Sequence, residues 1–180
     1  MRGHGPSISA GRPSVAVVTE ADLEELLPLM RAYCDFYEVT PGDAALLALA
    51  RALIADPQRE GLQLLARAPA SSEAVGFATL FWSWSTTSAD RIGTMHDLYV
   101  SPHARGRGLA DQLILACADR CAERGAVCLQ WQTAPENLRA QAVYDRVGAV
   151  REPWLDYALA IPQASAADRR ERRGRAEDAR

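Results

Sequence analysis

The chain contains no lysine: all 20 of its basic residues are arginine. That absence excludes a P-loop lysine, a Schiff-base lysine and any other chemistry that needs an ε-amino group. No segment approaches the roughly 20 consecutive apolar residues of a membrane-spanning helix. The opening MRGHGPSISAGRP lacks the apolar run of a secretion signal, so no membrane partner is expected. The four cysteines, Cys34, Cys117, Cys121 and Cys128, form no C-x-x-C pair and no metal-ligand spacing. No metal site is therefore expected, and a reduced, cytoplasmic setting is. A net charge of −3 leaves no basic field for nucleic acid.

What is present suits a soluble globular protein: 180 residues, 48% apolar and 24% charged, enough for one domain with a core. Residues 1–13 are rich in Gly, Ser and Pro and read as a disordered tail. The domain is expected over 14–162. Residues 163–180 mix Arg with Asp and Glu, show no apolar periodicity, and read as a solvated charged tail.

Apolar periodicity predicts strands at 15–19, 62–67, 75–85, 91–100, 127–133 and 157–161. It predicts helices starting at Glu20, over 43–56, from Leu109 to near Gly125, and over 137–147. Cys117 and Cys121, four apart on the third helix, read as core residues, and so does Trp131 on the penultimate strand. Three strands in succession imply antiparallel hairpins, and the strand–helix–strand crossover that follows implies a parallel pair. The expected fold class is α/β (α+β), a mixed, mostly antiparallel sheet with flanking helices.

The most informative segment is HDLYVSPHARGRGLADQL, His96 to Leu113. A β-branched and aromatic strand ends at Ser101-Pro102, an Arg/Gly turn follows, and a helical pattern begins at Leu109. A strand, a glycine turn and a helix start present free backbone N–H groups and a helix N-terminus to an anion. Glycines permit the close approach, and two arginines add charge that can pair with phosphate. The segment therefore reads as a seat for a diphosphate. It is not a dinucleotide fingerprint, because Gly106-x-Gly108-x-x-Asp111 lacks the third glycine. A second pattern follows at Asn137, Ala140, Tyr144 and Gly148. On a helix Asn137, Ala140 and Tyr144 share a face, with Asn137 and Tyr144 about 10 Å apart along the axis. A small residue between two polar ones leaves a groove for a narrow ligand.

Together these stretches resemble the GNAT N-acetyltransferase superfamily. Arg105-x-x-Gly108-x-Ala110 fits its pyrophosphate loop, and Asn137-x-x-Ala140-x-x-x-Tyr144-x-x-x-Gly148 fits its C-terminal helix. The order HDLYV…RGRG, LQWQT, then Asn137 is most similar to the branch of diamine and small histone-type acetyltransferases. The resemblance implies that 14–162 is an N-acetyltransferase domain using acetyl-CoA as co-substrate. It implies that the strand ending at Val100 splays from its parallel neighbour and receives the pantetheine arm as an added strand. By position, Leu98, Tyr99 and Val100 would line the arm. The amides of Arg105, Gly106, Arg107, Gly108, Leu109 and Ala110 would hold the diphosphate, and Asn137 would hydrogen-bond the arm. Tyr144 would protonate the departing thiolate.

The acceptor implied is a primary amine of a small molecule (a polyamine, an amino acid or similar) or of a peptide or protein. Such an amine is protonated at neutral pH and needs a base. Diamine-type relatives carry Glu-Asp where this chain has His96-Asp97. His96, Asp97 or a water chain are the alternatives, and strand alternation sends the two side chains to opposite faces. Tyr33, Tyr37, Trp82 and Trp84 are the candidates for the acceptor pocket, since aromatic faces attract ammonium groups. The resemblance also admits a homodimer. Two rival readings stand beside it: a non-catalytic acyl-CoA-binding regulatory domain, and a nicotinamide enzyme that uses the glycine turn.

Overall fold

The computed structural model describes residues 14–69 and 71–161. Five strands form one sheet in chain order: β1 (Ser14–Val17), β2 (Gly61–Arg67), β3 (Ala74–Ser85), β4 (Asp90–Val100) and β5 (Cys128–Gln130). Neighbours from β1 to β4 are antiparallel, and β4 and β5 are parallel. Helices α1 (Leu23–Phe36) and α2 (Asp43–Ala55) precede β2; α3 (Leu109–Glu123) joins β4 to β5, and α4 (Leu138–Arg146) follows. This is the mixed, mostly antiparallel sheet that the element order predicts.

Alternation sorts the central strands onto two faces. Leu62, Leu64, Ala78 and Leu80 meet Leu109, Leu113, Ile114, Cys117 and Cys121 of α3, so both helix cysteines are core as their spacing predicts. Leu65 and Phe77 meet Leu23, Leu26, Leu29 and Met30 of α1 on the other face. The turn into α1 is closed by Asp22 Oδ2, which accepts from the Thr19 hydroxyl at 2.7 Å and from the Thr19 N–H at 2.9 Å, while Asp22 N–H donates back to the Thr19 carbonyl at 3.0 Å.

Two predicted strands differ from what forms. The penultimate one is confined to Cys128–Gln130 rather than 127–133, because the chain leaves β4 there and turns through Pro135 into α4. The expected strand at 157–161 is absent. Residues 151–161 carry neither helix nor strand, and the compact unit of the fold ends at Val150. Alternating apolar residues specify a strand only where a neighbour takes up its backbone groups, and the sheet holds five strands. The expected tails at 1–13 and 163–180 lie outside the described residues. Among the described residues no helix is long and apolar enough to cross a membrane.

Gly61 opens β2 with φ +143°, and a Cβ there would sit on the Leu80 carbonyl oxygen and against Phe81 Cα. Neither obstacle is the mobile end of a side chain. Gly61→Ala is therefore expected to cost about 3 kcal/mol and to lower Tm by roughly 6–12 °C in a chain of this size, measurable by calorimetry.

Candidate active site

β4 pairs with β3 along its whole length, from Asp90 opposite Ser85 to Val100 opposite Gly76. Its pairing with β5 covers only Ile92–Thr94, where Gln130 Nε2 reaches Thr94 Oγ1 at 3.5 Å. Beyond Thr94 the two strands part, and a cavity of about 610 Å³ opens between them. One wall is β4 from Met95 onward, and the other is Trp131, Gln132, Thr133 and α4.

The turn after β4 closes the floor. Gly106 has φ +76° and Gly108 φ +73°, and Gly108 caps α3 in the left-handed conformation. A Cβ at Gly106 would meet nothing, so backbone conformation rather than space calls for glycine. The first α-helical bond of α3 is Gln112 N–H to Gly108 O at 3.1 Å, which leaves the preceding N–H groups of its first turn free for an anion. Asp111 would oppose an anion there, but Arg146 of α4 holds both its oxygens, at 2.9 and 2.6 Å. The pair also pins α4 to the start of α3.

Leu98, Tyr99, Val100, Arg105, Gly106, Gly108, Leu109, Ala110 and Asn137 all line the cavity. Arg107 does not: it is exposed and outside the wall. Arg105 does more than lend charge, since its Nε–H donates to the Val100 carbonyl at 2.8 Å and locks the strand end to the turn. Asn137 is the N-cap of α4, its Oδ1 accepting from Ala140 N–H at 3.2 Å. The cap leaves the Asn137 amide N–H₂ available to a ligand. Tyr144 is half-buried, its ring edge-on to Trp131 with centroids 5.2 Å apart. Burial raises the Tyr144 phenol above its ordinary pKa, a hydrogen bond from Thr133 partly offsets this, and the nearby Tyr37 phenol adds to it.

The stretch of β4 around His96 departs from strand alternation. Leu80 pairs with Met95 and Thr79 with Asp97, so His96 has no partner and forms a β-bulge. The bulge cancels the expected separation of His96 and Asp97 onto opposite faces. Instead His96 Nδ1 and Asp97 Oδ1 lie 3.6 Å apart, with the imidazole exposed and the carboxylate mostly covered. The imidazole also packs on the Phe81 ring at 5.7 Å. Tyr33 donates to the His96 carbonyl at 3.5 Å; burial first and the Asp97 charge second push its phenol pKa up. Behind Asp97 a polar row crosses the sheet: Gln63 opposite Thr79, and Thr79 opposite Asp97. Gln63 Nε2 donates to Thr79 Oγ1 at 3.1 Å, both residues are buried, and Gln63 Oε1 has no partner among the described residues.

Tyr33 and Tyr37 line the cavity; Trp82 and Trp84 do not. Alternation along β3 puts Phe77, Thr79 and Phe81 on the α1 face, and Trp82 and Trp84 on the α3 face. Trp82 packs against the α3-side core, donates to the Pro57 carbonyl at 2.8 Å and stacks under Arg124. Trp84 is exposed beneath Arg91. Sequence reasoning also missed two wall residues. Trp131 borders the cavity as well as the core, and Phe36, one helical step before Tyr37, stands at the mouth. Counting parity from Phe77 would have flagged the β3 face; the bulge left no signal.

The GNAT acetyltransferase family model matches residues 26–149. An uncharacterized N-acetyltransferase of Bacillus subtilis is 30% identical over 143 residues, 79% of this chain and 93% of that protein. A D-amino-acid N-acetyltransferase of Saccharomyces cerevisiae is 30% identical over 134 residues, 74% of this chain and 82% of that protein. Among solved structures, the aminoglycoside N-acetyltransferase AAC(6')-Iy in complex with CoA shares the fold. Its TM-score is 0.74 at 20% identity, covering 86% of this chain and 99% of that one. The chain belongs to the GNAT acetyltransferase family. It is an N-acetyltransferase whose co-substrate is acetyl-CoA, and the free amides around Gly108 together with the opened edge of β4 fit a diphosphate and an extended arm.

The cap at Asn137 separates two roles of one residue. Asn137→Ala should lower stability by about 1 kcal/mol through loss of the cap, whereas Asn137→Asp keeps it and should change little, as read by urea denaturation.

Proposed function

We propose that the reaction is direct acetyl transfer from acetyl-CoA to a primary amine of a small molecule, carried out in the cytoplasm. The observation that supports this best is the parting of β4 from β5 beside Tyr144. Acetyl-CoA supplies an acetyl group activated as a thioester. The main chain from Arg105 to Ala110 holds its diphosphate, the β4 edge at Leu98–Val100 aligns its arm, and Asn137 Nδ2 donates to that arm.

At pH 7.4 the neutral form of an ordinary alkylamine costs about 4 kcal/mol, so the acceptor must be deprotonated in place. His96 and Asp97 act as a pair: the imidazole takes the ammonium proton and the carboxylate stabilises the imidazolium. The amine nitrogen then forms a bond to the acetyl carbon as the carbon–sulfur bond breaks. The nitrogen loses two protons in all. One leaves through His96 to solvent; the other, lost as the amide forms, restores to the Tyr144 phenol the proton it gave to the thiolate, so the products are the amide, the free thiol of CoA and one released proton.

Thiol release from acetyl-CoA with a panel of amines tests the reading, and absence of turnover with every amine together with no CoA binding by calorimetry would overturn it. Tyr144→Phe should lower kcat about a hundredfold, the low end for loss of a general acid, with KM for acetyl-CoA nearly unchanged. Burial raises the Tyr144 pKa, so its protonated, acid form persists past the ordinary value of about 10. The alkaline limb of the kcat profile is therefore expected above pH of about 10, and a loss of rate between pH 8 and 9 that Tyr144→Phe abolishes would contradict the assignment.

A further inference from the structure

Half of the aromatic residues in the chain (three Phe, five Tyr and four Trp in all) line this one cavity. They form two groups. Tyr33, Phe36 and Tyr37 come from the end of α1, with Tyr99 beside them; Trp131 and Tyr144 come from the splay. Within the groups the rings meet edge to face: Tyr33 on Tyr37 at 5.0 Å and 64°, Phe36 on Tyr37 at 5.1 Å and 90°, Trp131 on Tyr144 at 5.2 Å and 64°. Edge-on neighbours leave ring faces uncovered for stacking. Phe36 is 63% exposed and Tyr37 54% exposed, a large apolar area at a helix end that no other described residue covers.

The charges narrow the ligand further. Among the described residues the cavity wall carries one acid, Asp111, and Arg146 already binds both its oxygens. Asp35 and Glu38, on either side of the Phe36–Tyr37 pair, are not on the wall. A reacting ammonium finds the His96–Asp97 pair, but a second ammonium finds no carboxylate of its own. Burying an unpaired charge is costly, so a polyamine gains little here. An apolar flat body gains the stacking area that the aromatic walls offer.

We infer that the acceptor is a monoamine whose primary amino group is carried on an aromatic body, an arylalkylamine, held between the α1 rings and the Trp131–Tyr144 pair. The inference rests on the acetyl-transfer reading for its reaction, but not for its binding site. The test is kcat/KM by thiol release for 2-phenylethylamine, n-propylamine, putrescine and glycine, with the wild type and Phe36→Ala. Phe36 is exposed, so its removal leaves the fold intact. The expected result is at least a tenfold preference for 2-phenylethylamine over each of the other three. Phe36→Ala should remove most of that preference by raising KM for 2-phenylethylamine, with a much smaller change for n-propylamine. Putrescine or glycine as the better substrate would overturn the inference, as would a Phe36→Ala effect equal on all amines. Calorimetry keeps the two readings apart: 2-phenylethylamine that binds wild type and not Phe36→Ala, without turnover of any amine, sustains the site and defeats the acetyl transfer.

Discussion

One strand has two unequal neighbours, and the site depends on that inequality. β4 keeps β3 for its full length but β5 for only three residue pairs. A sheet edge released from its partner presents unpaired backbone groups, which in a buried strand would be a liability. Here they face a cavity large enough for an extended ligand, which can pair with them as a further strand would. The parting also sets where α4 goes. Because β5 ends at Gln130, the chain is free to turn, cap α4 with Asn137 and bring Tyr144 back against Trp131. The Arg146–Asp111 pair then fixes α4 to the helix that starts at the glycine turn, so both ends of the groove are held by one rigid arrangement.

The bulge at His96 is the second consequence of the same strand. A regular strand would have put His96 with the acceptor and Asp97 behind it, or the reverse. One extra residue lets the exposed imidazole and the covered carboxylate stay within 3.6 Å of each other. It also turns Asp97 toward the face of Phe77 and Thr79 while Met95 remains in the α3-side core. The row Gln63–Thr79–Asp97 follows from this register. The buried Gln63 amide donates to the Thr79 hydroxyl, which satisfies one group on each side chain, and the row ends opposite Asp97.

The sequence carried the fold and the glycine turn because both are written in local chemistry. Glycines at 106 and 108 are needed for φ, the helix begins where apolar periodicity resumes, and the crossover fixes a parallel pair. The acceptor end is written in register and parity, which no single residue reveals. Trp82 and Trp84 looked suitable by type, but they sit on the wrong side of β3, one step out of phase with Phe77 and Phe81. Nothing in the string HDL announces a bulge, since the residue left unpaired is chosen by the fit of Met95 against Leu80 and of Asp97 against Thr79. Arg105 and Asn137 show a subtler limit. Each belongs to the motif, but each also binds the protein itself, Arg105 at the Val100 carbonyl and Asn137 at the Ala140 amide.

This division explains how one scaffold serves different acceptors. The cofactor end is built largely of backbone amides, a helix terminus and a strand edge, and those persist under most substitutions that preserve the fold. The proposed acceptor end is built of side chains: the rings of α1, Trp131 and the bulged His96. Side chains at a helix end and a strand bulge can change without disturbing Leu26, Phe77 or Leu113 in the core. Identity of about 30% with an amino-acid acetyltransferase is therefore informative about the first end and weakly so about the second, because function resides in the site rather than in the fold. In this chain the proposed acceptor end combines aromatic area with a single imidazole–carboxylate pair, and on that proposal its selectivity should follow from those features.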